Sequence, residues 1–398
     1  MAAIEVCNLY KIFGSSARKR ALPMVRDGVG KADVLKKTGC TVGVNDASFA
    51  IEKGEVFVIM GLSGSGKSTV LRMINRLIEP TYGQVMIEGD NLLEHDVAEL
   101  RDIRRERMAM VFQHFGLLPH RSVIDNVAYG LEVQGVEKKS RYERAREAID
   151  LVGLADYAGQ MTQQLSGGMQ QRVGLARALA TKADIMLMDE AFSALDPLIR
   201  TQMQDELIDL QQKMRKTIVF ITHDLDEALK LGDHIAIMKD GRIEQIGSPE
   251  QILTHPQSDY VRSFVENVDR SRVITASAVM QRPNVLLRMR DGTARAVRLM
   301  REEGRSTLFV IDGENRFKGL VSIDDAVGEV KADRHDLSSI LKTDTPTATP
   351  DMTLNDLTAY AAQTAVPIVV VDDAGGFKGI VTRAAMLAAI SGEDMTDG

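Results

Sequence analysis

The sequence predicts an α/β fold built on a parallel β-sheet, followed at its carboxyl end by a smaller α+β module. Three observations lead to this fold class. Apolar runs of strand length alternate with helical patterns up to about residue 270. A glycine-rich run at 61–69 directly follows one of the strand-like runs. The segment 273–398 changes in character and contains an internal repeat.

The alternating pattern defines a first domain at 1–270. Its clearest strand-like runs, each bounded by turn residues, lie at 55–60, 185–188 and 218–221. Between about 115 and 175 the pattern becomes helical and polar, which predicts a helical subdomain inserted between two core strands. A partly basic stretch at 14–43 predicts one or two short helices, inserted before the turn at 43–46.

The repeat defines a second domain at 275–398, with copies at about 275–335 and 340–395. FVID at 309–312 and FKGLVS at 317–322 recur sixty residues later as VVVD and FKGIVT. Each copy is predicted to form a helix, a strand, a short turn, a strand and a helix. A unit of this size buries its apolar faces poorly alone, so the two copies are expected to pack together.

Composition and charge exclude several classes of protein. The net charge of −7 gives no basic field, so no nucleic-acid partner is expected. No apolar run approaches the roughly 20 residues of a membrane-spanning helix, so any membrane role is expected to come through a partner. The first residues lack the pattern of a signal peptide. Two cysteines at 7 and 40 fit ordinary thiols of a reducing compartment.

The glycine-rich run fits the phosphate-binding pattern G-x-x-x-x-G-K-[ST] in its required place after a strand. Its predicted nucleotide-binding residues are Gly61, Leu62, Ser63, Gly64, Ser65, Gly66, Lys67, Ser68 and Thr69. Glycines let backbone N–H groups turn toward phosphate oxygens, and a helix that begins at Lys67 adds its positive end. The ammonium of Lys67 can reach the β- and γ-phosphates of ATP, and the Ser68 hydroxyl can bind Mg²⁺.

Two adjacent acids follow the apolar run at 185–188. Asp189 has the character of the carboxylate that holds Mg²⁺, and Glu190 that of the general base for an attacking water. Acids at a strand end are often only solvated. Their place after a phosphate-binding loop in the same chain favours the catalytic interpretation.

The run LSGGM at 165–169 resembles the LSGGQ signature of ABC ATPases, with Met169 in place of the usual glutamine. Physically, a serine hydroxyl and bare glycine amides at a helix start can bind a γ-phosphate. The resemblance implies that the signature completes the ATP site of a second subunit, so a homodimer with two ATP molecules is expected. The residues concerned are Ser166, Gly167, Gly168, Met169 and Gln170.

Other positions match this family in order along the chain. Gln113 matches the glutamine that contacts Mg²⁺ and water and faces the permease, and SALD at 193–196 matches the loop that crosses the dimer interface. His223 matches the switch histidine on the γ-phosphate. Phe13 matches the aromatic side chain that stacks on adenine, with Tyr10 as the alternative.

The first domain is most similar to the ATPases of quaternary-amine importers. The resemblance is carried by the insertion at 14–43, by NLYKIFG at 8–14, GLSGSGKST at 61–69, NRLIEPT at 75–81, LPH at 118–120 and VIDN at 123–126. It implies uptake of glycine betaine, proline betaine, choline or proline as osmoprotectants. Expected partners are an integral-membrane permease and, indirectly, a substrate-binding protein. The expected location is the cytoplasmic face of the bacterial inner membrane.

Two other functions remain open at this point. The chain can serve an importer for another small solute, such as amino acids or sulfonates, since the substrate never touches this subunit. It can also be a soluble ABC ATPase that acts on a macromolecule, although the long coiled-coil heptads of repair ATPases are missing from the sequence.

The carboxyl-terminal repeat resembles a pair of CBS modules, which often bind adenine nucleotides. GLVSIDD at 319–325 fits their ribose-binding pattern and makes Ser322 and Asp325 candidate nucleotide ligands. The second copy, GIVTRAA at 379–385, lacks the acid. A role in packing or dimerisation is the alternative.

Overall fold

The computed structural model describes residues 2–113, 116–266 and 268–391. Contacts divide the chain into two compact units, Met1–Val268 and Asp269–Gly398. Residue 115, where the predicted helical subdomain begins, lies outside the described residues. The end of the predicted second repeat copy, 392–395, also lies outside them.

The strands described in the first unit form an antiparallel sheet and a mostly parallel sheet. They are β1 (Ala2–Phe13), β2 (Thr41–Glu52), β3 (Val56–Met60), β4 (Tyr82–Ile87), β5 (Asp90–Asn91), β6 (Met108–Val111), β7 (Ile185–Asp189), β8 (Thr217–Thr222), β9 (His234–Lys239) and β10 (Arg242–Gly247). The antiparallel sheet has the order β2-β1-β4-β5, and the mostly parallel sheet has the order β10-β9-β3-β8-β7-β6. The predicted strands at 55–60, 185–188 and 218–221 are therefore confirmed as β3, β7 and β8.

Eight of the eleven helices described in the first unit begin at a side chain that accepts hydrogen bonds from free backbone N–H groups. They are α1 (Leu22–Arg26), α2 (Lys31–Thr38), α3 (Lys67–Ile74), α4 (Val97–Glu106), α5 (Val123–Val133), α6 (Lys138–Leu151), α7 (Gly167–Ala180), α8 (Pro197–Met214), α9 (Leu225–Leu231), α10 (Pro249–Thr254) and α11 (Asp259–Val265). Asp96, Ser166, Asp196 and Asp224 cap α4, α7, α8 and α9 in this way. Helices α5, α6 and α7 make up the predicted helical block between β6 and β7.

The main core lies where the two sheets and helix α3 meet. Every residue of β3 is buried, as expected for a parallel strand that is covered on both faces. The rings of Phe49 and Phe57 stack in this core with centroids 5.1 Å apart. Full burial of a side chain of this size stabilises the fold by about 1.5–3 kcal/mol. The core holds β3 rigidly, and the phosphate-binding run begins at the end of that strand.

The predicted insertion is helical over most of 17–38 and connects β1 to β2. The turn predicted at 43–46 is wrong, because these residues pair with β1 as part of β2. A π-helix at Ala17–Ala21 is followed by α1 and α2, and their apolar side chains form a small cluster with those of both strands. The Arg26 guanidinium lies 3.8 Å from the ring centroid of Tyr82 and 5.5 Å from that of Tyr10. These contacts fix the insertion to the antiparallel sheet.

The second unit repeats one arrangement, as the sequence predicts. Its elements are α12 (Ala276–Val279), β11 (Leu287–Arg288), α13 (Thr293–Glu302), β12 (Thr307–Ile311), β13 (Phe317–Ser322), α14 (Ile323–Lys331), β14 (Thr347–Ala348), α15 (Leu354–Gln363), β15 (Ile368–Val371), β16 (Phe377–Val381) and α16 (Arg383–Ser391). The sheets have the orders β11-β12-β13 and β14-β15-β16. The predicted order of helix, strand, strand and helix is confirmed in both copies.

Side chains that alternate along β12 and β15 join the two copies. Val310 and Val370 point into the separate cores of their own copies. Neighbouring positions point the other way and form a shared cluster, composed of Phe309, Ile311, Leu320, Val369, Phe377 and Ile380. The copies therefore bury apolar surface against each other, which neither does alone.

No helix in the described ranges combines the length and the apolar character that crossing a membrane requires.

The buried carboxyl group of Glu227 is expected to make the stability of the fold depend on pH. It is 5% exposed in α9 and accepts a hydrogen bond of 3.1 Å from the Gln204 amide of α8. Burial is the main cause that raises the pKa of Glu227. A carboxyl group whose pKa is raised on folding contributes stability at acid pH, and this contribution is lost as pH rises through the folded-state pKa. We expect Glu227→Gln to gain thermal stability relative to the natural chain as pH rises from 5 to 8.

The measurement is the thermal midpoint of both chains at pH 5 and pH 8. Glu147→Gln, at an exposed position of α6, is the matched control and should show no such trend. A gap between natural and variant midpoints that is equal at both pH values would contradict the role of Glu227.

Candidate functional site

The predicted catalytic and phosphate-binding residues converge at one edge of the mostly parallel sheet. Strand β8 lies between β3 and β7 and pairs in parallel with both. The run 61–69 follows β3, Glu190 follows β7, and His223 follows β8. Since the carboxyl ends of adjacent parallel strands meet at the same edge, these three segments lie side by side.

At two positions in the loop after β3, the backbone has a conformation that only glycine adopts easily. Gly61 has φ +148° and Gly66 has φ +107°. A Cβ atom on Gly61 would lie 2.2 Å from the Met238 carbonyl oxygen, and one on Gly66 would lie 2.5 Å from that of Gly43. The loop therefore packs against neighbouring backbone, and its exposed tip is formed by Leu62, Ser63 and Gly64.

The base of this loop holds polar groups that have few partners in the chain. Lys67 is buried, and its ammonium donates to the carbonyl oxygens of Gly61 at 2.8 Å and Leu62 at 3.1 Å. Burial lowers the pKa of Lys67, while the carboxylates of Glu190 and Asp189 raise it in part. The Ser65 hydroxyl is buried without a hydrogen-bond partner among the described residues. A ligand with several acceptor oxygens, such as a phosphate group, would satisfy both side chains.

Asp189 is a buried carboxylate held by two side chains of α3. The Ser68 hydroxyl donates to Asp189 Oδ1 at 2.8 Å, and an Arg72 guanidinium nitrogen lies 3.2 Å from Oδ2. Thr69, the last residue of the predicted nucleotide-binding run, also lies in α3. The pair Ser68 and Asp189 offers hard oxygen donors, which are the ligands that Mg²⁺ prefers.

Glu190 lies between side chains from two other loops. Its Oε2 accepts a hydrogen bond of 3.2 Å from the Gln113 amide, and His223 Nδ1 lies 3.5 Å from the same oxygen. Ser193 donates its hydroxyl to the Glu190 carbonyl at 2.9 Å. Glu190 also has φ +45°, a left-handed conformation that costs a residue with a side chain about 1–3 kcal/mol. A bond from its N–H to the Ile221 carbonyl at 3.1 Å holds it there.

The two candidate aromatic side chains on β1 differ in exposure. Phe13 is 42% exposed, and Lys11 Nζ lies 5.0 Å from its ring centroid. Its ring packs on Gly43, whose carbonyl oxygen lies against Gly66 of the predicted phosphate-binding loop. Tyr10 is only 7% exposed, beneath Arg26. Phe13 is therefore the ring that is free to stack on a base near the loop.

The signature residues lie at the start of α7, as predicted. The Ser166 hydroxyl caps the helix by accepting from the Met169 N–H at 3.4 Å, and Ser166 and Gly167 are exposed. The Gln170 amide donates to the carbonyl oxygens of Thr162 and Leu165 at 3.1 and 3.2 Å. Gln170 thus closes the turn that presents Ser166.

Sequence analysis did not single out Arg72, Arg200 or Asp224. Arg72 holds Asp189, and Arg200 joins Leu195 to Asp224, the residue after His223. For Arg72 a signal was available, because it lies four residues after Ser68 and so on the same face of a helix. For the other two residues, the contact depends on how α8 and α9 pack.

The candidate ligands in the second unit have partners within the chain. The Ser322 hydroxyl caps α14 by accepting from the Asp325 N–H, and Lys342 Nζ lies 2.7 Å from Asp325 Oδ2. The Lys342 ammonium and the Ser322 hydroxyl lower the pKa of Asp325. In the second copy, the Thr382 hydroxyl caps the corresponding helix by accepting from the Ala385 N–H. Ala385 lacks the carboxylate that Asp325 has in the first copy.

Comparisons with known proteins agree with this geometry. A family model described as ABC transporter matches residues 44–193. A model described as CBS domain matches 276–332 and 337–392. The dimeric structure of MJ0796, a bacterial ABC transporter cassette, superposes with a TM-score of 0.52 at 32% identity, covering 62% of this chain and 98% of that one. The predicted fold class is confirmed.

Curated relatives match along nearly the whole chain. The glycine betaine/carnitine transport ATP-binding protein of Listeria monocytogenes is 53% identical over 395 residues, covering 99% of each protein. The glycine betaine/proline betaine transport system ATP-binding protein of Escherichia coli is 49% identical over 399 residues, also 99% of each. The predicted enzyme class, an ATPase that serves transport, is confirmed by the same matches. The chain belongs to the ABC transporter family of ATP-binding proteins and carries a pair of CBS domains after its ATPase domain.

Proposed function

We propose that this chain is the ATP-hydrolysing subunit of an importer for quaternary amines such as glycine betaine, proline betaine or choline, or for proline. The observation that carries the proposal is the assembly of Lys67, Asp189, Glu190 and His223 at one sheet edge. The names of the Listeria and Escherichia relatives support the solute class.

ATP phosphates are proposed to lie in the loop 61–69. The backbone N–H groups of the loop and the start of α3 attract the phosphate oxygens, and Lys67 exchanges its bonds to loop carbonyls for bonds to the β- and γ-phosphates. The Ser65 hydroxyl gains the acceptor that it lacks among the described residues. The exposed ring of Phe13 stacks on adenine.

The oxygen donors beside this loop fit Mg²⁺. Ser68 and Asp189 would hold the ion, with Gln113 as a further ligand, and the ion would neutralise charge on the phosphates. Arg72 keeps the Asp189 carboxylate in place by its ion pair at 3.2 Å.

Glu190 is the proposed general base. It accepts a proton from a water molecule that attacks the γ-phosphorus, and the bond from that phosphorus to the ADP oxygen breaks. The Gln113 amide orients the Glu190 side chain, and the Ser193 hydroxyl holds the Glu190 backbone carbonyl. His223, near the same carboxylate oxygen, is proposed to contact the γ-phosphate.

A homodimer is proposed to complete two such sites. Ser166, Gly167 and Gly168 of one chain supply donors to the γ-phosphate held by its partner, which agrees with the exposure of Ser166 and Gly167 at the start of α7. Met169 and Gln170 belong to the same turn. The dimeric MJ0796 cassette supports this arrangement.

A groove next to Gln113 is the proposed docking site for an integral-membrane permease. It has a volume of about 390 Å³ and lies between β6 and helices α5 and α7. Three of its apolar side chains are exposed, namely Leu77 at 53%, Phe112 at 39% and Tyr129 at 37%. Phe112 directly precedes Gln113, whose amide donates to Glu190. A permease in the groove can therefore affect Glu190 through these two residues.

Through the permease, the chain is proposed to act at the cytoplasmic face of the bacterial inner membrane. A substrate-binding protein would deliver the solute on the other side. The CBS pair is proposed to regulate the ATPase, and a nucleotide site at Ser322 and Asp325 stays a prediction. A ligand there competes with Lys342 for the Asp325 carboxylate.

Solute uptake tests the proposed function directly. In cells that lack this chain, we expect the natural chain to restore uptake of labelled glycine betaine, proline betaine, choline or proline. Lys67→Ala should not restore it, because the phosphates lose their buried cation. Lys138→Ala, at an exposed position of α6, is the control and should restore it fully. If the natural chain restores none of the four, the solute class is wrong.

Replacement of the proposed base separates binding from hydrolysis. We expect Glu190→Gln to bind ATP as the natural chain does and to lose about 100-fold or more in kcat, because an amide cannot accept the proton. The measurements are equilibrium binding of ATP and steady-state phosphate release, with Glu147→Gln as control. Normal turnover by Glu190→Gln would remove Glu190 from the role of base.

The groove is tested by charging its rim. We expect Leu77→Glu to abolish stimulation of ATP hydrolysis by the permease, because a carboxylate enters an apolar contact, while ATP binding by the isolated chain is kept. Leu151→Glu is the matched control, since Leu151 is equally exposed at 52% but lies at the end of α6. Permease-stimulated hydrolysis by Leu77→Glu at the level of Leu151→Glu would place the docking site elsewhere.

A further inference from the structure

The first turn of α8 contacts the loops that serve two different ATP sites in the proposed dimer. We propose that Arg200, in this turn, is a positioning residue that couples the interface loop 193–196 to the switch histidine His223. Through this coupling, nucleotide at one site affects hydrolysis at the other. The inference rests on the proposed function, specifically on the dimer.

The Arg200 guanidinium bridges the two loops. One terminal nitrogen donates to Asp224 Oδ2 at 3.4 Å, and the other donates to the Leu195 carbonyl at 3.2 Å. Its backbone N–H donates to the Asp196 carbonyl at 2.9 Å, within the first turn of α8. A planar guanidinium with donors in a fixed fork suits such a bridge, because both bonds constrain the same rigid group.

Asp224 passes this constraint to His223. Its other carboxylate oxygen caps α9 by accepting from the N–H groups of Asp226 at 3.0 Å and Glu227 at 3.3 Å. Its own N–H donates to the Thr222 hydroxyl at 3.0 Å. The backbone on both sides of His223 is thereby fixed, so the position of the imidazole depends on where Arg200 holds Asp224.

The same turn of α8 also contacts the signature helix. A Cβ atom on Gly168 would lie 2.6 Å from Ile199 Cγ2, so the two helices meet at this point. Gly168 belongs to the turn that is proposed to bind the partner's ATP. Ile199 therefore lies against the partner's site, and its neighbour Arg200 is bonded to the switch loop of the chain's own site.

The contacts that link the interface loop and His223 end at Glu190, the proposed base. His223 Nδ1 lies 3.5 Å from Glu190 Oε2, and Ser193 of the interface loop donates to the Glu190 carbonyl. A shift of the interface loop thus reaches Glu190 directly through Ser193 and indirectly through Arg200. The loop and the histidine have to move together for the carboxylate to keep both contacts.

The Arg200 guanidinium has one donor that the bridge leaves unused. Its Nε is buried and has no hydrogen-bond partner in the described part of the chain. A buried donor without an acceptor is unfavourable and is rarely kept without a reason.

The test uses the full-length chain and compares Arg200→Ala, Asp224→Asn and the double variant. Asparagine caps a helix about as well as aspartate, so Asp224→Asn keeps α9 while it removes the charged acceptor of Arg200. Arg262→Ala is the control, because the Arg262 ion pair with Asp259 is exposed in the same unit. The measurements are kcat, KM and the Hill coefficient of ATP hydrolysis, ATP affinity at equilibrium, and the thermal midpoint.

We expect both single variants to lose about tenfold in kcat and to lower the Hill coefficient toward 1. ATP affinity and the thermal midpoint should stay close to those of Arg262→Ala. The double variant should be no worse than either single variant, because both changes break one bridge. Arg200→Lys should keep the thermal midpoint but not the Hill coefficient, since an ammonium lacks the fork.

Two results would overturn the coupling role. One is a kcat and a Hill coefficient of Arg200→Ala at the level of Arg262→Ala. The other is a loss of ATP affinity and thermal stability in proportion to kcat, which a merely structural arginine produces. Failure of the proposed dimer is recognised separately, because the natural chain itself would then hydrolyse ATP without cooperativity.

Discussion

The parallel pairing of β3, β8 and β7 is the constraint on which the rest of the ATPase unit depends. Hydrogen bonds in register, from Val56 with Ile218 to Asp189 with Ile221, bring the ends of these strands to one edge. The chain segments that follow them carry the predicted phosphate-binding loop, the predicted switch histidine and the proposed base. Strand β8 also fixes Glu190 directly. Its Ile221 carbonyl accepts a hydrogen bond from the Glu190 N–H, which holds Glu190 in a left-handed conformation. A slip of one residue in this register would separate the loop from both acids.

Burial of Asp189 explains how the site keeps its shape before a ligand enters. An unpaired carboxylate at 5% exposure is unfavourable, and Ser68 and Arg72 remove this cost by a hydrogen bond and an ion pair. Both partners come from α3, the helix that begins at Lys67. The same helix therefore positions the ammonium for the phosphates and the carboxylate proposed for Mg²⁺.

The strands, the phosphate-binding loop and the capped start of α7 could be predicted, because each is encoded by residues close together in the sequence. The choice between Tyr10 and Phe13 could not, because the pairing of β1 with β2 and β4 shifts register several times and breaks the alternation of faces. Arg200 and Asp224 were missed for another reason. They are 24 residues apart and meet only because α8 packs beside α9. Helix packing of this kind leaves no local pattern in a single sequence.

Some buried polar atoms without hydrogen-bond partners lie near the proposed ATP site and dimer interface. Among the described residues, the Ser65 hydroxyl, the Arg141 Nε, the Gln171 amide and the Arg200 Nε are atoms of this kind. Ser65 lies in the phosphate-binding loop, Gln171 in the helix that begins with the signature, and Arg200 beside the interface loop. Folding stability alone would favour apolar side chains at these positions, because each unpaired atom lowers the free energy of unfolding. On the proposed function, ATP phosphates supply acceptors for Ser65. Binding of ATP would therefore remove the cost of the buried Ser65 hydroxyl, which links the stability of this loop to the nucleotide.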